Sequence, residues 1–162
     1  MKKIIYIYIF FLSIITFAQN KNQIKENCGI ALNKDTKIKK MENIQLNILG
    51  TELKLASIDP LTGFFRTGFC ATDSSDRGLH VVAAVITDEF LEYSLSKGND
   101  LISPSPANGF PGLKAGNVWC LCVLRWKEAF DAGVAPLVIP EATNIKALEY
   151  VTIEELTSKK AD

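Results

Sequence analysis

The chain has a single histidine, His80, among its 162 residues. That excludes any site needing two imidazoles, such as the paired histidines of a His-Glu-x-x-His zinc helix. Neither a Gly-rich phosphate loop nor a Gly-x-Ser-x-Gly nucleophile elbow is present, so a nucleotide-phosphate cradle and the α/β-hydrolase arrangement are not expected. A Ser-His-Asp arrangement has only His80 to use, and nothing beside it marks a nucleophile. An excess of one charge is also missing: 18 basic residues stand against 18 acidic ones. With no bulk attraction to phosphate backbones, nucleic acid is not an expected partner. No run of like charge is long enough to form a tail, and no internal repeat or low-complexity segment occurs.

Long hydrophobic runs are scarce too. The one that exists, Ile4 to Phe17, follows Met1-Lys2-Lys3 and precedes the small residue Ala18. A cationic start, a short apolar stretch and a small residue predict a signal peptide over residues 1–18 rather than a retained membrane anchor. Removing it takes away Lys2 and Lys3 and no acidic residue, leaving 16 basic against 18 acidic side chains. The expectation is an exported protein, periplasmic or extracellular, with no stable membrane anchor after cleavage. Export places Cys28, Cys70, Cys120 and Cys122 where disulfides persist. Sequence does not choose among their pairings. On one strand, Cys120 and Cys122 would share a face at close to the largest separation a bridge tolerates. A bond from Cys70 to one of them is easier to build.

Residues 19–43 carry six lysines and no sustained apolar period, which predicts a polar lead-in before a domain over 44–160. Alternation in Gln45–Leu49 and Leu53–Leu55 predicts two short strands around a turn, and Phe64–Ala71 is expected as another. Leu79–Ile86 reads as a strand buried on both faces. Thr87 is its helical successor's N-cap, with Asp88 and Glu89 in the first turn and Lys97-Gly98 as the stop. A long loop from Asn99 to Asn117, stiffened by Pro104, Pro106 and Pro111, leads to a strand over Val118–Leu124. A helix over Arg125–Ala132 follows, then a short strand at Leu137–Ile139 and a helix from the Thr152-x-x-Glu155 capping box to about Lys160. Strands and helices mix without regular alternation, so the fold class is α+β: one small domain with a short mixed or antiparallel sheet and three to four helices.

Reactive and rigid groups concentrate between Gly98 and Phe130, which holds Trp119, Trp126, Cys120 and Cys122. With Asp59 and Arg66 in one Gly/Pro-punctuated loop and Asp100 in another, the expected ligand-binding set is Asp59, Arg66, Asp100, Trp119 and Trp126. The function it implies is binding of a small molecule or a protein partner, without a cofactor. The alternative is a thiol or zinc site from Cys70, His80, Cys120 and Cys122, a donor set chemically right for Zn²⁺ but not spaced like a zinc knuckle. A Cys-x-Cys on a strand also lacks the helix N-terminus that activates redox thiols. Left to its strand, His80 reads as a half-buried imidazole bonded to backbone. Asp59, Asp73, Asp76, Asp88, Glu89 and Asp100 mostly read as turn and cap residues.

Five motifs taken in order resemble a known family: Asp59-Pro60-Leu61-Thr62-Gly63-Phe64-Phe65-Arg66, Thr87-Asp88-Glu89-Phe90-Leu91, Gly98-Asn99-Asp100-Leu101, Phe110-Pro111-Gly112-Leu113 and Trp119-Cys120-Leu121-Cys122 with Arg125-Trp126. The family is the bacterial and plant domain of unknown function numbered 2237, and the resemblance covers about Asn47 to Lys160. It implies a small single domain and no particular activity. It also implies a cysteine where this chain has Ala56, a Cys-Cys pair where it has Phe69-Cys70 and a histidine where it has Asn144. Those departures weigh against a metal or thiol site here and toward a role carried by the loops Asp59–Arg66 and Gly98–Leu113, or a purely structural one.

Overall fold

The computed structural model describes residues 44–161. Residues 1–43 and Asp162, and with them the expected signal peptide, the lead-in and Cys28, lie outside the described residues. The apolar run His80–Val85 forms β1, the central strand of a three-stranded antiparallel sheet. It pairs with β2 (Val118–Cys122) on one side and β3 (Leu137–Val138) on the other. Packing covers both of its faces, and Val81 to Ala84 are all buried. The fold is α+β, with helices α1 (Asp88–Ser96), α2 (Val123–Asp131) and α3 (Ile153–Ser158) and single 3₁₀ turns in the connections.

Local chemistry sets the helix ends. Thr87 accepts from the Phe90 N–H, which satisfies one of the donors that α1 leaves unpaired, and Asp88 and Glu89 lie at the positive end of its dipole. Thr152 and Glu155 close a reciprocal capping box on α3. Helix α2 starts at Val123 directly after β2, two residues before the sequence pattern placed it. Val123, Trp126 and Ala129 are its buried residues and enter the main core with Val82, Ala84, Phe90 and Leu121. On the opposite side of the sheet, the cross-strand pair Ala83 and Cys120 packs with Cys70 and Ala142. A disulfide joins Cys70 to Cys120.

Four further expected elements differ. Phe64–Ala71 is not a strand: Gly63, Arg66 and Gly68 have φ of 89°, 52° and 85°, so this segment coils through left-handed turns. The strands expected over Gln45–Leu55 reduce to isolated bridges, Leu46 to Glu52 and Asn47 to Asn144. There the buried Asn47 carboxamide organises a turn, accepting from the Leu49 and Thr51 N–H groups and donating to the Glu52 and Glu141 carbonyls. Helix α3 ends at Ser158, and Lys160 instead bridges Val138 in parallel. No helix among the described residues is long and apolar enough to cross a membrane.

Candidate functional site

The loop Thr62–Cys70, the start of β1 and the long loop after α1 enclose a cleft of about 690 Å³, a size suited to a small organic ligand. Phe64, Phe110 and Trp119 give it aromatic walls, and Arg66, His80 and Asp100 supply its charged and titratable groups. Its rims are held backbone to backbone. A Cβ added to Gly63 would lie 2.2 Å from the Phe69 carbonyl oxygen, and one at Gly112 would lie 2.3 Å from that of Ile102. Ser105 and Phe110 exchange hydrogen bonds across the long loop, and the Leu113 N–H donates to Leu101.

Arg66 takes the left-handed backbone that non-glycine residues usually avoid. That conformation lays its guanidinium over Trp119, 4.8 Å from the ring centroid, the stacking arginine favours. No carboxylate among the described residues lies within ion-pair distance of it. Phe110 meets the same indole edge-on at 5.4 Å. Asp100 turns into its own loop: its Oδ1 accepts from the Ile102 and Ser103 N–H groups. Those bonds, from Ser103 first, hold its carboxyl below its ordinary value.

His80 corrects its sequence-based reading. Its ring is half-buried, but its partner is a carboxylate rather than backbone: Nδ1 lies 2.7 Å from Asp76 Oδ1. The Asp76 side chain is fully buried, and its Oδ2 also accepts from Thr72 Oγ1 and from the His80 N–H. A carboxylate accepts only, so Nδ1 carries a proton toward Asp76, and in the neutral ring Nε2 is the acceptor. Phe64 stacks parallel to the imidazole, with centroids 6.1 Å apart and 15° between planes. Gly78 lies against the ring, where a Cβ would come within 2.5 Å of Cε1.

Three of the five expected ligand-binding residues, Arg66, Asp100 and Trp119, therefore share one cleft. Trp126 does not. It is fully buried in the core, stacked on Phe130 with its indole N–H donating to the Pro136 carbonyl, because the spacing that made it conspicuous is the inward face of α2. Asp59 is exposed and absent from the cleft lining. Residues missed from sequence are Asp76, Phe64 and Phe110. The four-residue separation of Asp76 and His80 was the one available signal.

The alternative donor set is drawn together but already committed. Cys70 and Cys120 are bonded to each other, which leaves His80 and the free thiol of Cys122 opposite it in register. Among the described residues no three of His, Cys, Asp and Glu are grouped to hold a metal ion. The positions at which the resemblance implies a cysteine and a histidine, Ala56 and Asn144, both lie near the disulfide: Ala56 packs on the cluster of Cys70, Ala83, Cys120 and Ala142, and Asn144 donates to the Cys70 carbonyl.

Against this geometry, residues 46–160 match the family described as uncharacterized protein conserved in bacteria (DUF2237). The chain belongs to that family. No curated protein matches it. The DUF2237 match takes in every element described above, cleft and disulfide included.

Proposed function

We propose that this domain binds a small anionic ligand with a flat, apolar body in the Arg66–Trp119 cleft. The observation that carries the reading is a set of unspent polar groups converging on one concavity. Every buried side-chain nitrogen and oxygen among the described residues has a hydrogen-bond partner. His80 Nε2 and the Trp119 indole nitrogen have none there, and both side chains line the cleft. The Arg66 guanidinium joins them with only a long bond, 3.5 Å, to the Gly63 carbonyl. The two donors, the Arg66 guanidinium and the Trp119 indole N–H, match a carboxylate or phosphate on a planar ring between aromatic walls. Nε2, an acceptor, is left for a donor such as water. The reading extends to export through a signal peptide over residues 1–18, and the Cys70–Cys120 bond supports it, because an oxidising compartment keeps such bonds closed.

The test is titration with benzoate, phenylacetate and phenyl phosphate, followed by amide and indole proton–nitrogen spectra. Binding should move the Trp119 indole resonance. Arg66→Ala should weaken it by at least about tenfold, the size of one charge-assisted hydrogen bond. No shift at Trp119 with any of the three, or equal affinity in Arg66→Ala, sinks the proposal.

A further inference from the structure

We propose that His80 is a general base that activates a water molecule against an acyl ester held in the cleft; this rests on the cleft being a small-anion site. The case begins with the cost of Asp76. A carboxylate with no exposed surface is expensive to bury, and among the described residues no lysine or arginine pairs with it. Its compensation is three hydrogen bonds, two of them from His80. A turn needing only a polar anchor would be served by a neutral amide. A buried carboxylate on Nδ1 does more: it fixes the tautomer and stabilises the imidazolium as it forms.

The backbone and packing point the same way. Two non-glycine residues among those described have positive φ, Arg66 at 52° and Leu79 at 47°. One is the cleft's cation and the other immediately precedes His80. Strain of this kind persists where the surrounding structure over-determines it, and it clusters at functional sites. Just beyond, the pairing of β1 with β2 slips between His80 and Val82, leaving Val81 as an extra residue. A bulge re-aims side chains, and here His80 faces the cleft while Val82 stays in the core. Held between Phe64 and Gly78, the ring has its orientation set before any ligand arrives.

The nucleophile is water. No serine, threonine or cysteine among the described residues hydrogen-bonds to Nε2, and Cys122, though opposite in register, makes no such bond. Nε2 takes a proton from the water as its oxygen bonds to the acyl carbon. The acyl carbon–oxygen ester bond then breaks, and the imidazolium returns the proton to the departing oxygen. An ester plus water becomes an acid plus an alcohol, with no other reactant.

The experiment uses mono(4-nitrophenyl) succinate, whose free carboxylate suits Arg66 and whose ring suits the aromatic walls. Its amide counterpart, N-(4-nitrophenyl)succinamate, reports binding by calorimetry. Hydrolysis above the buffer rate is expected, with His80→Gln lowering kcat by about 100-fold or more at unchanged KM. Added imidazole should restore turnover to His80→Gly. Asp76 is a positioning residue, so Asp76→Asn should lower kcat at least about tenfold and move the ring nitrogen resonances away from the Nδ1–H pattern. Cys122→Ser should keep the wild-type kcat. Amide binding without ester turnover overturns the inference and leaves the binding reading standing. Failure of both probes to bind removes both. Turnover that survives His80→Gln, or dies in a folded Cys122→Ser, assigns the chemistry elsewhere and overturns the role of His80.

Discussion

Two concavities of similar size indent this domain, and they treat their polar groups in opposite ways. The first, about 690 Å³, leaves Arg66, the Trp119 indole and His80 Nε2 unspent. The second, about 600 Å³, runs past Gln45, Thr72 and Asn144. There the carboxamides close on one another. Gln45 exchanges hydrogen bonds with the Thr72 backbone in both directions, and Asn144 donates to Gln45 and to the Cys70 carbonyl while accepting from the Lys146 N–H. The second concavity is a seam held by structural bonds, the first a surface with capacity left over. Volume alone does not separate them; hydrogen-bond bookkeeping does.

The disulfide ties the two together, because Cys70 receives Asn144 and Cys120 lines the cleft. Its loss should have the largest effect. Replacing Cys70 and Cys120 by serine frees a crosslink between residues 50 apart, worth about 4 kcal/mol by the chain-entropy relation. Urea unfolding should show that fall, and a loss under 1 kcal/mol would remove the bond's structural role. Next, Asn144→Ala should cost about 3 kcal/mol through its orphaned partners. Ligand affinity in the cleft should be unchanged wherever the variant is folded. Reduced affinity would mean the two concavities are coupled.

Arg66→Gly sharpens the contrast from the other side. Glycine takes φ of 52° without penalty, so stability should hold or rise by up to about 1 kcal/mol. Affinity for benzoate should fall about tenfold or more, equivalent to about 1.4 kcal/mol. A variant that loses stability instead would place Arg66 among the structural residues. The smallest effect is electrostatic. Hydrogen bonds hold Asp100 and Asp73 below the ordinary 3.8, Asp100 chiefly through the Ser103 N–H and Asp73 chiefly through the Ser75 hydroxyl. As pH falls below 3.8, the unfolded chain takes up their protons first. Their contribution is therefore complete above that value and lost as pH drops through the folded-state values. Asp73→Asn with Asp100→Asn should flatten the acid limb of a urea-midpoint curve slightly, and an unchanged limb would refute the assignment.

Much of the scaffold was legible because local signals agreed with the tertiary outcome. Thr87 caps α1 and Thr152 caps α3 as their neighbours demanded, and the Leu79–Ile86 run became the central strand. The segment Phe64–Ala71 was not legible, since its aromatic content imitates a strand while its backbone is decided by turns at Gly63, Arg66 and Gly68. Arg66, Asp100 and Trp119 could be suspected from loop chemistry. Trp126 carried the same outward mark and proved to be core, because a tryptophan on an amphipathic helix looks alike from either side in sequence. Asp76 was hidden for the converse reason: in a stretch of Asp, Ser and Gly, a buried carboxylate reads like any turn residue until the strand after it is folded back.

The backbone contacts at Gly63 and Gly112 have a kinetic consequence. With no room for even a methyl group between the segments that meet there, the rims have no slack to close further at these two points. Association should then be a single encounter whose observed rate rises linearly with ligand concentration, without a slower closing phase. Selectivity would reside in how long a ligand stays.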